Sequence, residues 1–286
     1  MGAIWGSSFF AIKISVETIN PISVAGGRLL IASFILFIVF KIKKLSFDLE
    51  VKTILLILLI GLLGNLLPFF LISWSEQFIQ SNTTGLLMSV GPIFALIFAH
   101  FMTQDDKFSY NKFFAILVGM IGVLFIFGFE SLKGLFSKNY LLIIPKFSVI
   151  LAVLGYVISS IIAYNLKKIN IITLTTLVTF SAAFMSIPFI FLIEYKYPSS
   201  PSINSFIALL YLGIFPTAIA FLIRFYIISQ SGPIYLSYVS YLIPGFAILW
   251  GFIFLGENIS LDLLIGLLFI LLGIFLSQKE INVKNN

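Results

Sequence analysis

The chain has 286 residues, 60% of them hydrophobic and 10% charged, with a net charge of +6 and no cysteine. About 25% charged residues is usual for a soluble domain, so a water-soluble globule is excluded and the chain reads as an integral membrane protein. The absence of cysteine removes disulfides, thiolate metal sites and a cysteine nucleophile, and the basic residues lie scattered between apolar runs, which fits membrane orientation and not nucleic-acid binding.

In chain order, ten apolar runs predict membrane-crossing helices: 2–16, 24–40, 53–72, 84–101, 113–129, 147–164, 171–193, 206–228, 234–254 and 261–276. The first is short for a bilayer that asks for about 20 residues. Either it occupies a thin part of the bundle or the natural chain begins upstream of Met1. Only helices can satisfy their backbones in lipid over runs this long. The connections are short, the longest being 130–146 and 194–205. The expected fold is an all-α integral membrane protein of ten transmembrane helices. Five fall in each half, at 1–130 and 141–278, followed by a polar tail at 279–286.

Lysine sets the orientation. With the N-terminus inside, the inner connections and tail hold Lys41, Lys43, Lys44, Lys52, Lys107, Lys112, Lys167, Lys168, Lys279 and Lys284. The outer ones hold only Lys133, Lys138, Lys146 and Lys196. Positive charge stays on the cytoplasmic side, so both termini are expected in the cytoplasm. Five helices per half then make the halves inverted with respect to each other.

The end of the first half is echoed at the end of the second. Laid without gaps over 241–257, the stretch 89–105 puts Pro92 on Pro244, Phe94 on Phe246, Ala95 on Ala247 and Asp105 on Glu257. Matched interrupted helices in a duplicated bundle are a mark of secondary transporters, whose substrates bind between the halves near the midplane. Pro92 and Pro244 are therefore the hinge candidates. Pro68 and Pro216 also fall inside spans, and each proline leaves a carbonyl unpaired in the preceding turn. Ser89, Thr217 and Tyr241 are near enough in sequence to satisfy such groups.

Three bases lie within spans. A charge at the centre of a span costs about 2.5–3.5 kcal/mol on insertion scales unless it finds a partner or water. Lys13 pairs with Glu17 one turn on, reaches the outer interface, or hooks a substrate anion. Arg28 clamps Glu17 across the first hairpin or grips a carboxylate or phosphate with its planar fork. Arg224 reaches the inner interface or gates the inner mouth. Trp5 and Tyr156 stand near the starts of approximately matched helices, and Tyr238 and Tyr241 share a face one turn before Pro244. Trp74 and Tyr226 suit the membrane interface. Glycine pairs such as Gly119 with Gly122 and Gly266 with Gly273 serve close packing within the bundle or at a homodimer face. His100, the only histidine, reads as interfacial, and Glu17, Glu76, Asp105 and Glu257 all fall near span ends, so no buried carboxylate is expected.

A membrane enzyme and a channel are the competing classes. Ser89 and His100 are about 16 Å apart along one helix, too far to form a nucleophile and base, and one histidine without cysteine makes no metal centre. No ring of filter residues for a channel is visible.

The segments IWGSSFFAIK at 4–13 and NPISVAGGRLLIA at 20–32 resemble the opening of EamA-type proteins of the drug/metabolite transporter superfamily. The P-x-F-A pattern before an acid at the end of each half, and FPTAIAFLIRFYIISQSGP at 215–233, are similar to the same family. The resemblance covers nearly the whole chain. It implies ten helices in two inverted five-helix repeats around a central cavity, moving amino acids, other small metabolites, nucleotide-linked compounds or drugs, often outward. The chain departs from its own second half at Gln104–Asp105, where that half has Gly256–Glu257.

The reading that results is a plasma-membrane secondary transporter of a small metabolite, amino-acid or organic-acid-like, with a negative group. Its substrate-site candidates are Trp5, Ser8, Lys13, Arg28, Tyr156, Tyr238 and Tyr241. No catalytic group, cofactor or metal is expected. The partners expected are the substrate, membrane lipid and a second copy at the glycine faces, with no nucleic acid.

Overall fold

The computed structural model describes residues 1–47, 49–79, 81–104, 107–127, 143–243, 245–246 and 261–284, and every regular element among them is helical. The first half contains α1 (Gly2–Ser15), α2 (Pro21–Ile42), α3 (Val51–Gly61), α4 (Leu67–Ser75), α5 (Ser81–Met88), α6 (Gly91–Met102) and α7 (Tyr110–Phe127). The second contains α8 (Ile143–Asn165), α9 (Ile171–Lys196), α10 (Ile203–Leu212), α11 (Ala220–Ser237) and α12 (Leu261–Lys284). Among the described residues six runs are long and apolar enough to cross a membrane: Pro21–Ile42, Val51–Ser75, Thr83–Met102, Ile143–Asn165, Ile171–Lys196 and Ile203–Ser237. Shorter apolar stretches lie at Tyr110–Phe125 and Leu264–Leu276.

The helices start where the sequence offers a start. Pro21 opens α2 at a position where its missing N–H is no loss. Asn170 caps α9 by accepting from the N–H groups of Ile172 and Thr173. Asn20, at the corresponding place before α2, instead uses its amide to reach the far half, donating to Glu194, the Tyr197 carbonyl and Ser199. Serines and threonines inside the helices bond back to carbonyls of the preceding turn, as Ser15 does to Ala11 and Ser75 to Leu71. These buried hydroxyls are thereby satisfied without a partner helix.

Large apolar side chains point both ways. Phe10, Phe34, Phe184 and Phe191 are exposed, whereas Leu29, Leu36, Ile161 and Leu212 are fully buried. An apolar exterior of this kind is expected only where lipid is the solvent. Among the described residues the interior holds four apolar clusters, and Trp5 and Tyr156 touch two of them.

Among the described residues two helices are interrupted by π-helical turns. One, Leu62–Leu66, separates α3 from α4 just before Pro68, and the other, Gly213–Ile219, separates α10 from α11 and contains Pro216. The offset that lays Pro92 on Pro244 also lays Gly61 on Gly213 and Asn65 on Thr217. Pro92 stands at the head of α6 after a turn at Ser89–Val90, while Pro244 lies outside the described residues. A further break occurs at Gly232, whose φ of 84° suits glycine and few other residues. The span expected from 234 thus begins beside Pro233, directly after that break.

The first π turn packs backbone-to-backbone on α8. A Cβ placed on Gly155 would lie 2.4 Å from the Leu63 carbonyl oxygen, and one on Gly64 would lie 2.4 Å from Ser159 Oγ. At Gly91 the nearest atom to such a Cβ is Val153 Cγ1 at 3.6 Å. Gly155→Ala should therefore destabilise the bundle by about 1–3 kcal/mol, the usual penalty of overpacking, whereas Gly91→Ala should melt like the parent. Thermal melts of the detergent-solubilised variants followed by size exclusion check this. Equal melting of the two variants would show that the π turn yields at no cost.

Candidate functional site

A central cavity is lined by α1, α2, α4, the α5–α6 turn, α8, α11 and the residues after α11. Its walls include Trp5, Ser8, Arg28, Phe69, Tyr156 and Arg224, with Ser160, Ser237 and Ser240 adding hydroxyls. Both arginines are buried, at 3% and 1% exposed. No carboxylate occurs among the described lining residues.

Each arginine is held by the half of the chain opposite its own at a proline-interrupted helix. Arg28 of α2 donates from Nε to Thr217 Oγ1 at 2.8 Å, and Thr217 in turn donates to the Leu212 carbonyl at 2.7 Å. Leu212 is four residues before Pro216, so its carbonyl is the acceptor that a proline leaves without its usual N–H donor. Arg224 of α11 donates from Nη1 to the Gly64 carbonyl at 3.2 Å. Gly64 is four residues before Pro68 and stands in the same relation to it.

The two guanidinium groups differ in how fully they are occupied. Arg224 Nη2 also meets Ser159 Oγ and Ser160 Oγ, each at 2.9 Å, and the Tyr156 carbonyl at 3.2 Å. Arg28 has Thr217 alone as a hydrogen-bond partner among the described residues, and its guanidinium carbon lies 3.8 Å from the Phe69 ring centroid. Stacking of that kind contributes about 0.5–2 kcal/mol. Arg224 sits 5.0 Å from the Phe221 ring and 5.4 Å from the Tyr156 ring. Phe69 touches both Tyr156 and Phe221 edge-to-face, and Trp5 touches Phe221. The result is an aromatic wall with a guanidinium at either side. Trp5 is fixed by donating Nε1–H to the Pro216 carbonyl at 3.1 Å, and Ser8 bonds back to Trp5.

Of the residues proposed from sequence, Trp5, Ser8, Arg28 and Tyr156 meet at this cavity. Tyr241 does not line it. It is fully buried against Gly119 and donates to the Ile116 carbonyl at 3.1 Å. Tyr238 lies in the same apolar cluster. The face of that segment that meets the cavity is Ser237, Ser240 and Ile243, on the opposite side of the turn. Lys13 is exposed and donates to the main-chain oxygen of Glu76, away from the cavity. Arg28 has no bond to Glu17, which is itself exposed. Arg224 does not reach an interface: it is among the most deeply buried side chains. A sequence signal for it existed, since Pro68 required a donor to Gly64 from another helix and Arg224 is one of three bases within spans.

Glu76 also departs from expectation. It ends α4 one residue beyond the span Val51–Ser75, yet it is fully buried. Ser81 Oγ donates to its Oε2 at 2.6 Å, while Oε1 has no partner among the described residues.

Comparison with known proteins agrees with this architecture. A family model described as the EamA-like transporter family matches residues 1–128 and 143–278. A Bacillus subtilis (strain 168) protein named "Uncharacterized transporter YoaV" is 26% identical, the match covering 96% of this chain and 92% of that protein. A Chlamydia muridarum protein named "S-adenosylmethionine/S-adenosylhomocysteine transporter" is 22% identical over 97% of this chain and 89% of its own length. A solved crystal structure that is 16% identical superimposes with a TM-score of 0.79, covering 100% of this chain and 96% of that one, which establishes a shared fold. The chain is a membrane protein of the EamA-like transporter family.

Proposed function

We propose that this protein is a secondary carrier that moves a small metabolite bearing a negative group across the plasma membrane by alternating access. The observation that carries this reading is a cavity with two buried guanidinium groups and no carboxylate among its described lining residues. A guanidinium stays charged at neutral pH. Its field in a low-dielectric cavity attracts an anion and repels a cation. Arg224 already satisfies carbonyls and hydroxyls of the protein, so it supplies field and fixes the wall. Arg28 keeps its terminal nitrogens for the substrate. Trp5, Phe69 and Tyr156 offer flat faces for the rest of the molecule. An amino acid or organic acid fits.

The moving parts in this reading are the helices broken at Pro68 and Pro216, together with the Pro92 and Pro244 pair. Ten helices in two inverted repeats place these breaks around the midplane. Both termini are cytoplasmic, and the 194–205 connection is outside. Reporter fusions after Asn286 and within 194–205 should give opposite sides. A shared side would overturn the inverted arrangement.

The two arginines should separate in reconstituted vesicles. Arg28→Gln should lower the specificity constant for an anionic substrate by about tenfold or more, equivalent to about 1.4 kcal/mol of lost charge-assisted contact, with little change in melting temperature. Arg224→Lys should lower the melting temperature clearly, because an ammonium cannot reproduce the planar set of bonds to Gly64, Tyr156, Ser159 and Ser160. Full flux in Arg28→Gln would show that both bases are structural.

A further inference from the structure

We propose that Glu76 is a proton-binding site of this carrier, at the end of the bundle where α4 turns into α5. Its link to transport rests on the carrier reading above; the binding itself does not. A carboxylate that is fully buried with one oxygen unpartnered is unfavourable in the ionised form. Oε1 is such an oxygen, and the Thr84 hydroxyl of α5 is likewise fully buried without a partner among the described residues. A Thr84–Oε1 hydrogen bond can partner both atoms in either protonation state, and it is the buried charge that protonation of Glu76 removes. The acid O–H donates where the carboxylate could not, and Ser81 continues to donate to Oε2.

The groups around Glu76 come from each element packed on it. Ser81 and Thr84 approach from α5, and Lys13 approaches from α1. The neighbouring Ser75 donates to the Pro145 carbonyl on α8, with Lys146 next in that chain. Lys13 is the charged group acting on the carboxyl, and in this structure its ammonium is bound to the Glu76 main-chain oxygen. That leaves two arrangements. With Glu76 protonated, Lys13 rests on the backbone and the turn is closed. With Glu76 ionised, the carboxylate favours a bond from the Lys13 ammonium or contact with water. The two protonation states thus prefer different positions of α1 against the α4–α5 turn, which is what a proton needs in order to bias a two-state carrier. Under the proposed topology the site faces outside, so the proton comes from and returns to that side.

Burial pushes the Glu76 carboxyl up to about 7, against the pull of Ser81, Thr84 and Lys13. A carboxyl whose folded-state value is raised contributes stability while it is protonated. That contribution is present at low pH and is lost as pH rises through about 7.

Infrared difference spectroscopy of the full-length protein in lipid nanodiscs tests the site without any transport substrate. A protonated-carboxyl C=O band that persists to near-neutral pH is expected in the parent. It should vanish in Glu76→Gln, survive in Glu17→Gln and shift its midpoint in Thr84→Val. The melting temperature of the parent should fall more steeply between about pH 5 and pH 7 than that of Glu76→Gln, and the two should run parallel above that range. An identical band in Glu76→Gln, or a midpoint in the ordinary carboxyl range, would overturn the proposal. Loss of the band on adding Na⁺ at constant pH would also overturn it, in favour of a metal-cation site. Because neither readout measures flux, a negative result leaves the carrier reading standing, and failure of transport leaves the titration intact.

Discussion

A proline inside a membrane helix leaves a carbonyl that lipid cannot satisfy, and the centre of this protein is built around two of them. Pro68 deprives Gly64 of its usual partner and Pro216 deprives Leu212. Arg224 donates to the first, and Thr217, itself bonded by Arg28, donates to the second. Each arginine thus reaches across to a broken helix of the other half. Remove Arg224 and the Gly64 carbonyl is left in the interior with its bond unmade, at about 1–3 kcal/mol, whereas without Arg28 the Thr217 hydroxyl still donates to Leu212. The same bonds place two positive charges on one cavity. Structural need and ligand chemistry are therefore joined in a single pair of side chains, with Arg224 fully engaged by the protein and Arg28 only in part.

The remaining architecture follows from holding those breaks in register. Gly64 and Gly155 let the first π turn approach α8 closely enough for Arg224 to reach carbonyls on both. Trp5 is pinned to the Pro216 carbonyl, so α1 is tied to the second π turn. At one end of the bundle Glu194 gathers Asn20, Ser23 and Ser199, fastening the start of α2 to the end of α9. At that same end Glu76 and Lys13 link α1 to the α4–α5 turn with one carboxyl oxygen unpartnered. A fully satisfied tie beside an incompletely satisfied one distributes rigidity unevenly. The first fixes two helices to each other, and the second can change state with one proton.

Much of this was legible in the sequence, because lipid imposes simple rules. Apolar run length marked the long helices, and proline spacing marked the breaks. Trp5, Ser8, Arg28 and Tyr156 are candidates by type and position, and their side chains line one cavity. What the sequence hid was direction. Tyr238 and Tyr241 lie on a helical segment whose other face meets the cavity, and an all-apolar helix carries no amphipathic stripe to tell the faces apart. Arg224 is near a helix end in sequence, which suggested an interface, but the π turn and Gly232 change where that end lies in space. Glu76 stands at a span boundary, where exposure is the ordinary expectation. Its burial depends on Ser81 and Thr84 folding back over it from the next helix.

The central claim is that the guanidinium pair makes the cavity selective for a negative group. The most direct measurement is counterflow in vesicles with matched compounds, a labelled amino acid against the amine left when its carboxylate is removed. The account predicts that the carboxylate-bearing compound on the far side accelerates labelled uptake while the decarboxylated amine does not compete. Equal or preferred carriage of the amine would contradict it.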